Sequence, residues 1–270
     1  MRKINSIFFL PYGIKEKQYE RGLEVLQCCI DAGESVGVIN CEIDFLSCFW
    51  NLDNRYDKCL FCIDRAKNGL KTITGEFQNI SLPQLSTQEL VEINDYRNLD
   101  IKTISELKSI SYENCDIGFA TSSILITLLK DPNPDLTKKT QIVNDLLWST
   151  AKSYILIKKV ISLHKPESFY IHNGREGISR GCVRACEDEG IQYYSYEGGY
   201  DMDKYHVYDN HMPQDSEKIG KTIKEYWNSE KSSKIKNNIA SDYFIKQKSG
   251  VKALSENYNY TKHQDTELLP

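Results

Sequence analysis

Two sets of side chains in this sequence have the types and spacing to do chemistry. The first lies within residues 167–199, ESFYIHNGREGISRGCVRACEDEGIQYYSYEGG, where Asn173, Arg175 and Arg180 are followed by Glu197 and Gly199. An amide, two guanidinium forks and a carboxylate are the groups that hold hydroxyl and anionic ligands. The second set is Cys41, Cys48, Cys59 and Cys62, spaced C-x6-C-x10-C-x2-C. A CxxC pair converges over a tight turn, and two further thiolates complete the all-thiolate shell of a structural zinc. The same four can also be ordinary packed or free thiols, the reading that local sequence favours, since free Cys is among the most buried residue types. A redox pair at Cys59 and Cys62 is a third reading, although its thioredoxin-like context is missing.

The elements that must carry the first set can be read from periodicity. Residues 169–171 alternate as a strand, Asn173-Gly174 turns the chain, a helical pattern follows, and residues 192–196 return as a second strand. In such a β-turn-α-β unit both the turn and residues 197–199 fall at the carboxyl ends of parallel strands, where ligands bind. Asn-Gly also serves turns simply because it accepts positive φ. Arg175 and Glu197 could pair with each other as a structural ion pair.

The rest of the chain predicts an α/β fold with a Rossmann-like parallel sheet flanked by helices. Residues 4–10, 17–32 and 35–40 read as strand, helix and strand, with Gly33 as the helix stop. Gly13 belongs to no GxGxxG sequence, which argues against a nicotinamide enzyme. A helix over 59–67 should stop at Asn68-Gly69 and give way to a short strand at 70–74. Ser86 and Glu89 match a capping box. Ser122 and Ser123 open an apolar run, either to pack or to meet a ligand at a helix terminus. Residues 136–163 form the longest periodic stretch, ended by Pro166, with Trp148 and Tyr154 read as core.

After Gly199 the chain reads as an irregular aromatic loop (Tyr200, Tyr205, His206, Tyr208, His211) suited to lining a sugar pocket. His206 and His211 lack the spacing of a helical zinc pair, and Asp201, Asp203 and Asp209 lack that of an EF-hand. Residues 1–213 are expected to form one domain with a Cys-containing loop at 41–62. Lys-rich helices follow over 214–256, a solvated face or one that rests on an anionic membrane, and then a flexible tail at 257–270.

Composition narrows the class. The chain has 270 residues, 34 basic against 38 acidic, a net charge of -4, which is not the basic balance of a nucleic-acid binder. No run approaches the roughly 18 apolar residues of a membrane span and no signal-peptide core is present, so a cytoplasmic protein is expected. Nine Cys in such a chain point to thiols or metal ligands rather than a disulfide framework.

Taken in order, the four Cys, Ile117-Gly118 with Ser122-Ser123, Asn173-Gly174-Arg175 with Arg180 and the Ala185-Cys186-x3-Gly190 helix end, and Glu197-x-Gly199 resemble the N-terminal half of bacterial GT-B glycosyltransferases of capsule and lipopolysaccharide biosynthesis. The resemblance covers residues 1 to about 213. It implies an acceptor-side Rossmann-like domain, a nucleotide-sugar as co-substrate, a glycan or lipid-linked glycan acceptor, and a donor-binding α/β domain supplied by a missing C-terminal part or another chain. On that reading Glu197 is the base or hydroxyl ligand, Arg175 and Arg180 meet an anionic acceptor or the donor phosphates, and Asn173 and Gly199 line the acceptor site; separately from it, the basic charge of the C-terminal helices allows peripheral contact with the inner membrane surface. A non-catalytic carbohydrate-binding or assembly subunit and a Cys-based metal, redox or regulatory module are the alternatives.

Overall fold

Strand β1 (Ser6–Leu10) is buried along its whole length, as an unbroken apolar run must be when helices cover both faces of a parallel sheet. The computed structural model describes residues 3–199 and 204–248. Helix α1 (Glu16–Asp31) leads to β2 (Val36–Asn40), and α2 (Tyr56–Leu70) to the two-residue β3 (Gln78–Asn79). Four helices then cross over: α3 (Thr87–Asn94), α4 (Ile104–Lys108), α5 (Ile117–Leu129) and the 25-residue α6 (Thr140–His164). Strand β4 (Ser168–His172), helix α7 (Gly177–Asp188), strands β5 (Gln192–Gly198) and β6 (Tyr205–Asp209), and helices α8 (Ser216–Ser229) and α9 (Ser233–Lys248) complete the order.

The sheet runs β3-β2-β1-β4-β5-β6. The first five strands are parallel and β6 is antiparallel to β5. The expected Rossmann-like sheet, flanked by helices and followed by C-terminal helices, is therefore present. Strand order reverses between β1 and β4, and that is where doubly wound sheets open a crevice.

Alternation along the strands divides the core. Ile7, Phe9, Phe169 and Ile171 face α5, α6 and α7, while Phe8, Leu10, Val36 and Val38 face α1 and α2. Phe8, Tyr170 and Tyr194 are register neighbours on β1, β4 and β5 and stack in a row, with centroids 4.5 and 4.9 Å apart. Each fully buried large apolar side chain contributes about 1.5–3 kcal/mol.

Gly181 fixes how closely α7 lies on α6. A Cβ there would stand 2.7 Å from the Thr150 carbonyl oxygen and 2.9 Å from both Ser153 Cβ and Tyr154 N. Gly181→Val is expected to cost about 2–3 kcal/mol in urea denaturation. Gly220→Ala, in open space on α8, should be neutral or slightly stabilising.

The Ser86 capping box forms as expected, with Ser86 Oγ accepting from Glu89 N at 3.2 Å and Glu89 Oε2 from Ser86 N at 2.6 Å. Two expectations are corrected. Helix α2 runs through Asn68-Gly69 to Leu70, and the next strand is at Gln78–Asn79 rather than 70–74. Gly69 is a packing contact, not a stop, because a Cβ there would lie 2.8 Å from Leu23 Cδ1 and 2.9 Å from Tyr19 Cε1 on α1. Residues 205–209, expected as loop, pair with β5 as an edge strand. Tyr200, Asp201, Asp203, the last part (249–256) of the expected helical stretch 214–256 and the tail at 257–270 lie outside the described residues.

Candidate functional site

The carboxyl ends of β4 and β5 and the start of α1 enclose a cavity of about 540 Å³ beside the switch point. Asn173, Arg175, Glu197 and Gly199 all line it. The structure thus brings together four of the five residues singled out in the first set.

The turn after β4 is built by two consecutive residues with positive φ, Asn173 (57°) and Gly174 (80°). Gly174 accepts this without strain, and Asn is among the few side-chain-bearing residues that tolerate it. Asn173 N–H donates to the Tyr196 carbonyl at 3.0 Å, continuing the β4–β5 ladder by one residue. Its Oδ1 accepts from Arg175 N at 3.2 Å and from Gln214 Nε2 at 3.1 Å. Its Nδ2 donates to Glu197 Oε2. One side chain therefore closes the turn and orients the carboxylate.

Glu197 Oε1 also accepts from Gly198 N at 2.8 Å. His172 Nε2 stands 3.5 Å from the same oxygen, longer than a well-formed hydrogen bond and an ion pair only when the imidazole is protonated, and has no hydrogen-bond partner among the described residues. Burial alone would raise the Glu197 carboxyl. His172, Asn173 and the Gly198 N–H outweigh it and hold the carboxyl down at about 2. A group so easily ionised is a constant hydrogen-bond acceptor and a weak proton acceptor.

Arg175 does not pair with Glu197. Its Nη2 donates to Glu176 Oε1 at 3.1 Å and Thr127 Oγ1 at 3.4 Å, and its buried Nε has no hydrogen-bond partner among the described residues. Burial raises the Glu176 carboxyl above its ordinary range even with Arg175 beside it. Arg180 is held elsewhere: its Nε and Nη2 donate to Asp116 at 2.9 and 2.5 Å, and its side chain is 6% exposed. Arg184 binds the same carboxylate. Burial would raise Asp116, but the two arginines hold it well below the usual carboxylate range. The expectation that Arg180 meets a ligand is thus corrected, because its charge is spent clamping α7 to the start of α5.

His172, Glu176, Lys15, Arg21 and Trp50 also line the cavity and went unrecognised in the sequence. His172 offered one local signal, its place beside Asn173 at a strand end. Arg21 offered none. Its guanidinium lies flat against Gly198, where a Cβ would be 2.7 Å from Arg21 Nη1. From the aromatic stretch after Gly199, Tyr208 reaches the cavity. Ser122 packs at 1% exposed, donating to the Phe119 carbonyl at 2.8 Å.

Cys41, Cys48, Cys59 and Cys62 line one small pocket that shares Trp50 with the main cavity. Burial pushes the Cys41 and Cys48 thiols up to about 12, and raises Cys62 as well. Cys59 Sγ accepts from Asn51 Nδ2 at 3.2 Å. The CxxC pair lies inside helix α2 rather than over the tight turn that would converge it. Among the described residues no group of three or more His, Cys, Asp or Glu is arranged to hold a metal ion. As they stand, the four thiols do not form the zinc shell their spacing suggested.

Set against known proteins, no protein-family model, curated protein or solved structure matches this chain.

Proposed function

We propose that the cavity binds a glycan and that the chain acts as the acceptor side of a GT-B-type glycosyltransferase of surface-polysaccharide synthesis. The observation that carries this reading is the convergence of Asn173, Arg175, Glu197 and Gly199 with His172, Trp50 and Tyr208 in one cavity at the strand ends. Aromatic faces stack on sugar rings, and ionised carboxylates and amides take up hydroxyl groups. Lys15, Arg21 and Arg175 add positive charge to the same wall, suited to an acidic acceptor group or the leaving diphosphate of a nucleotide-sugar.

In such a transfer the acceptor hydroxyl attacks the anomeric carbon of the donor, its proton passes to a base, and the nucleotide diphosphate departs. Glu197, ionised and hydrogen-bonded, orients the hydroxyl. His172, 3.5 Å from Glu197, is the neighbouring group suited to take the proton. Arg175 and Arg21 steady the anionic groups.

A panel of nucleotide-sugars and lipid-linked or free glycan acceptors, assayed for acceptor-dependent nucleotide release with and without a donor-binding partner domain, tests the reading. Release that falls at least about 100-fold in His172→Gln supports it. Neither release nor glycan binding with any pair would overturn it. The weak basicity of Glu197 favours one second reading, a carbohydrate-binding or assembly subunit, for which glycan binds and no nucleotide is released.

A further inference from the structure

We propose that helices α8 and α9 seat the protein on an anionic lipid surface. The inference goes beyond the sugar reading and requires no sugar to test.

Helix α8 has no buried residue, and neither α8 nor α9 is among the closely packed element pairs of the fold. Along α8, Ile219, Ile223, Tyr226 and Trp227 recur at the spacing of a single helical face. Ile223 is 61% exposed, Tyr226 74% and Trp227 45%. On α9, Ile235 and Ile239, one turn apart on one face, are exposed too. An apolar face left without a packing partner among the described residues marks an interaction site.

Charge indicates what covers it. Residues 216–248 carry eight Lys against four acidic residues, while the whole chain is at -4. Lys236 Nζ sits 5.3 Å above the Trp227 ring, so cationic and aromatic groups of the two helices meet in one patch. Exposed aromatics and aliphatics ringed by lysines are the pattern of helices that lie in the membrane interface, where apolar insertion and attraction to anionic headgroups act together. A second copy of the chain would bring an equally positive face and be repelled. No helix among the described residues is long and apolar enough to cross a membrane, which leaves lying on the surface as the mode of contact.

The test is flotation of the full chain with phosphatidylcholine vesicles and with vesicles containing phosphatidylglycerol. Binding is expected to the anionic vesicles, with a blue shift of tryptophan emission, and at least about tenfold less binding in about 0.5 M salt, where screening acts over a few Å. Lys224→Glu/Lys231→Glu/Lys234→Glu should cut binding at least about tenfold, as should Ile223→Ser/Tyr226→Ser. All of these side chains are exposed, so unchanged thermal unfolding is expected and serves as the control. Absence of binding, equal binding to neutral vesicles, or anionic binding untouched by either variant would overturn the proposal. So would concentration-dependent self-association abolished by Ile223→Ser/Tyr226→Ser.

Discussion

Replacing Asp116 by Ala is expected to lower stability by about 3–5 kcal/mol, the cost of leaving a buried charge without its partner. Asp116 Oδ1 accepts from Arg180 Nε at 2.9 Å and Arg184 Nε at 2.8 Å, and Oδ2 from Arg180 Nη2 at 2.5 Å and Arg184 Nη2 at 3.1 Å. Removal strands the Arg180 guanidinium, 6% exposed, in the α5–α7 interface. The effect should also depend on pH. The folded pKa of Asp116 is depressed, so its contribution is complete above the unfolded value of about 3.9 and fades as pH falls below it. Urea denaturation of wild type and Asp116→Ala at pH 7, 5 and 3 should show a gap that narrows towards acid. Asp57→Ala, which breaks the exposed Arg55 pair, should leave the midpoint unchanged. An Asp116→Ala midpoint close to that of wild type would mean that Arg180 is free for other work.

Glu197→Gln should weaken glycan binding about 10- to 100-fold, since a hydrogen bond to a charged acceptor is worth about 1.5–3 kcal/mol. The substitution keeps size and removes charge, so it separates recognition from packing. Because the wild-type carboxyl is held at about 2, its charge is constant through neutral and mildly acid conditions. Its linkage sign matches that of Asp116: the stability it adds is full above the ordinary carboxylate range of about 4.3 and is lost as pH falls towards 2. Calorimetric titration of glycan into both proteins at pH 7 checks the loss. Equal affinities would remove Glu197 from the site. Asn173→Ala should weaken binding as well and also lower stability, since Asn173 closes the turn as well as orienting Glu197.

What the sequence made legible follows from the range of the interactions involved. The burial of β1, the long α6 and the Ser86 cap rest on local periodicity and on a three-residue spacing. Asn173 and Glu197 could be placed at one sheet edge because β4 and β5 are consecutive strands of a parallel pair. Strand β6 was not legible because an edge strand, half exposed, carries no apolar alternation. Gly69 misled because its helix-stopping type is used for close contact between α1 and α2. Arg180 could not be assigned from its neighbours, since the carboxylate that holds it lies 64 residues away. Arg21 was hidden for the same reason. Only the folded chain presses it onto Gly198.

The most direct measurement is backbone amide NMR of the full chain titrated with neutral and acidic glycan fragments. The expected result is saturable shifts confined to Asn173, Gly174, Arg175, Gly198, Gly199 and the amides around Trp50, weakened at least about tenfold by Glu197→Gln. Shifts located elsewhere, or none at millimolar glycan, would contradict the assignment of this cavity to a sugar.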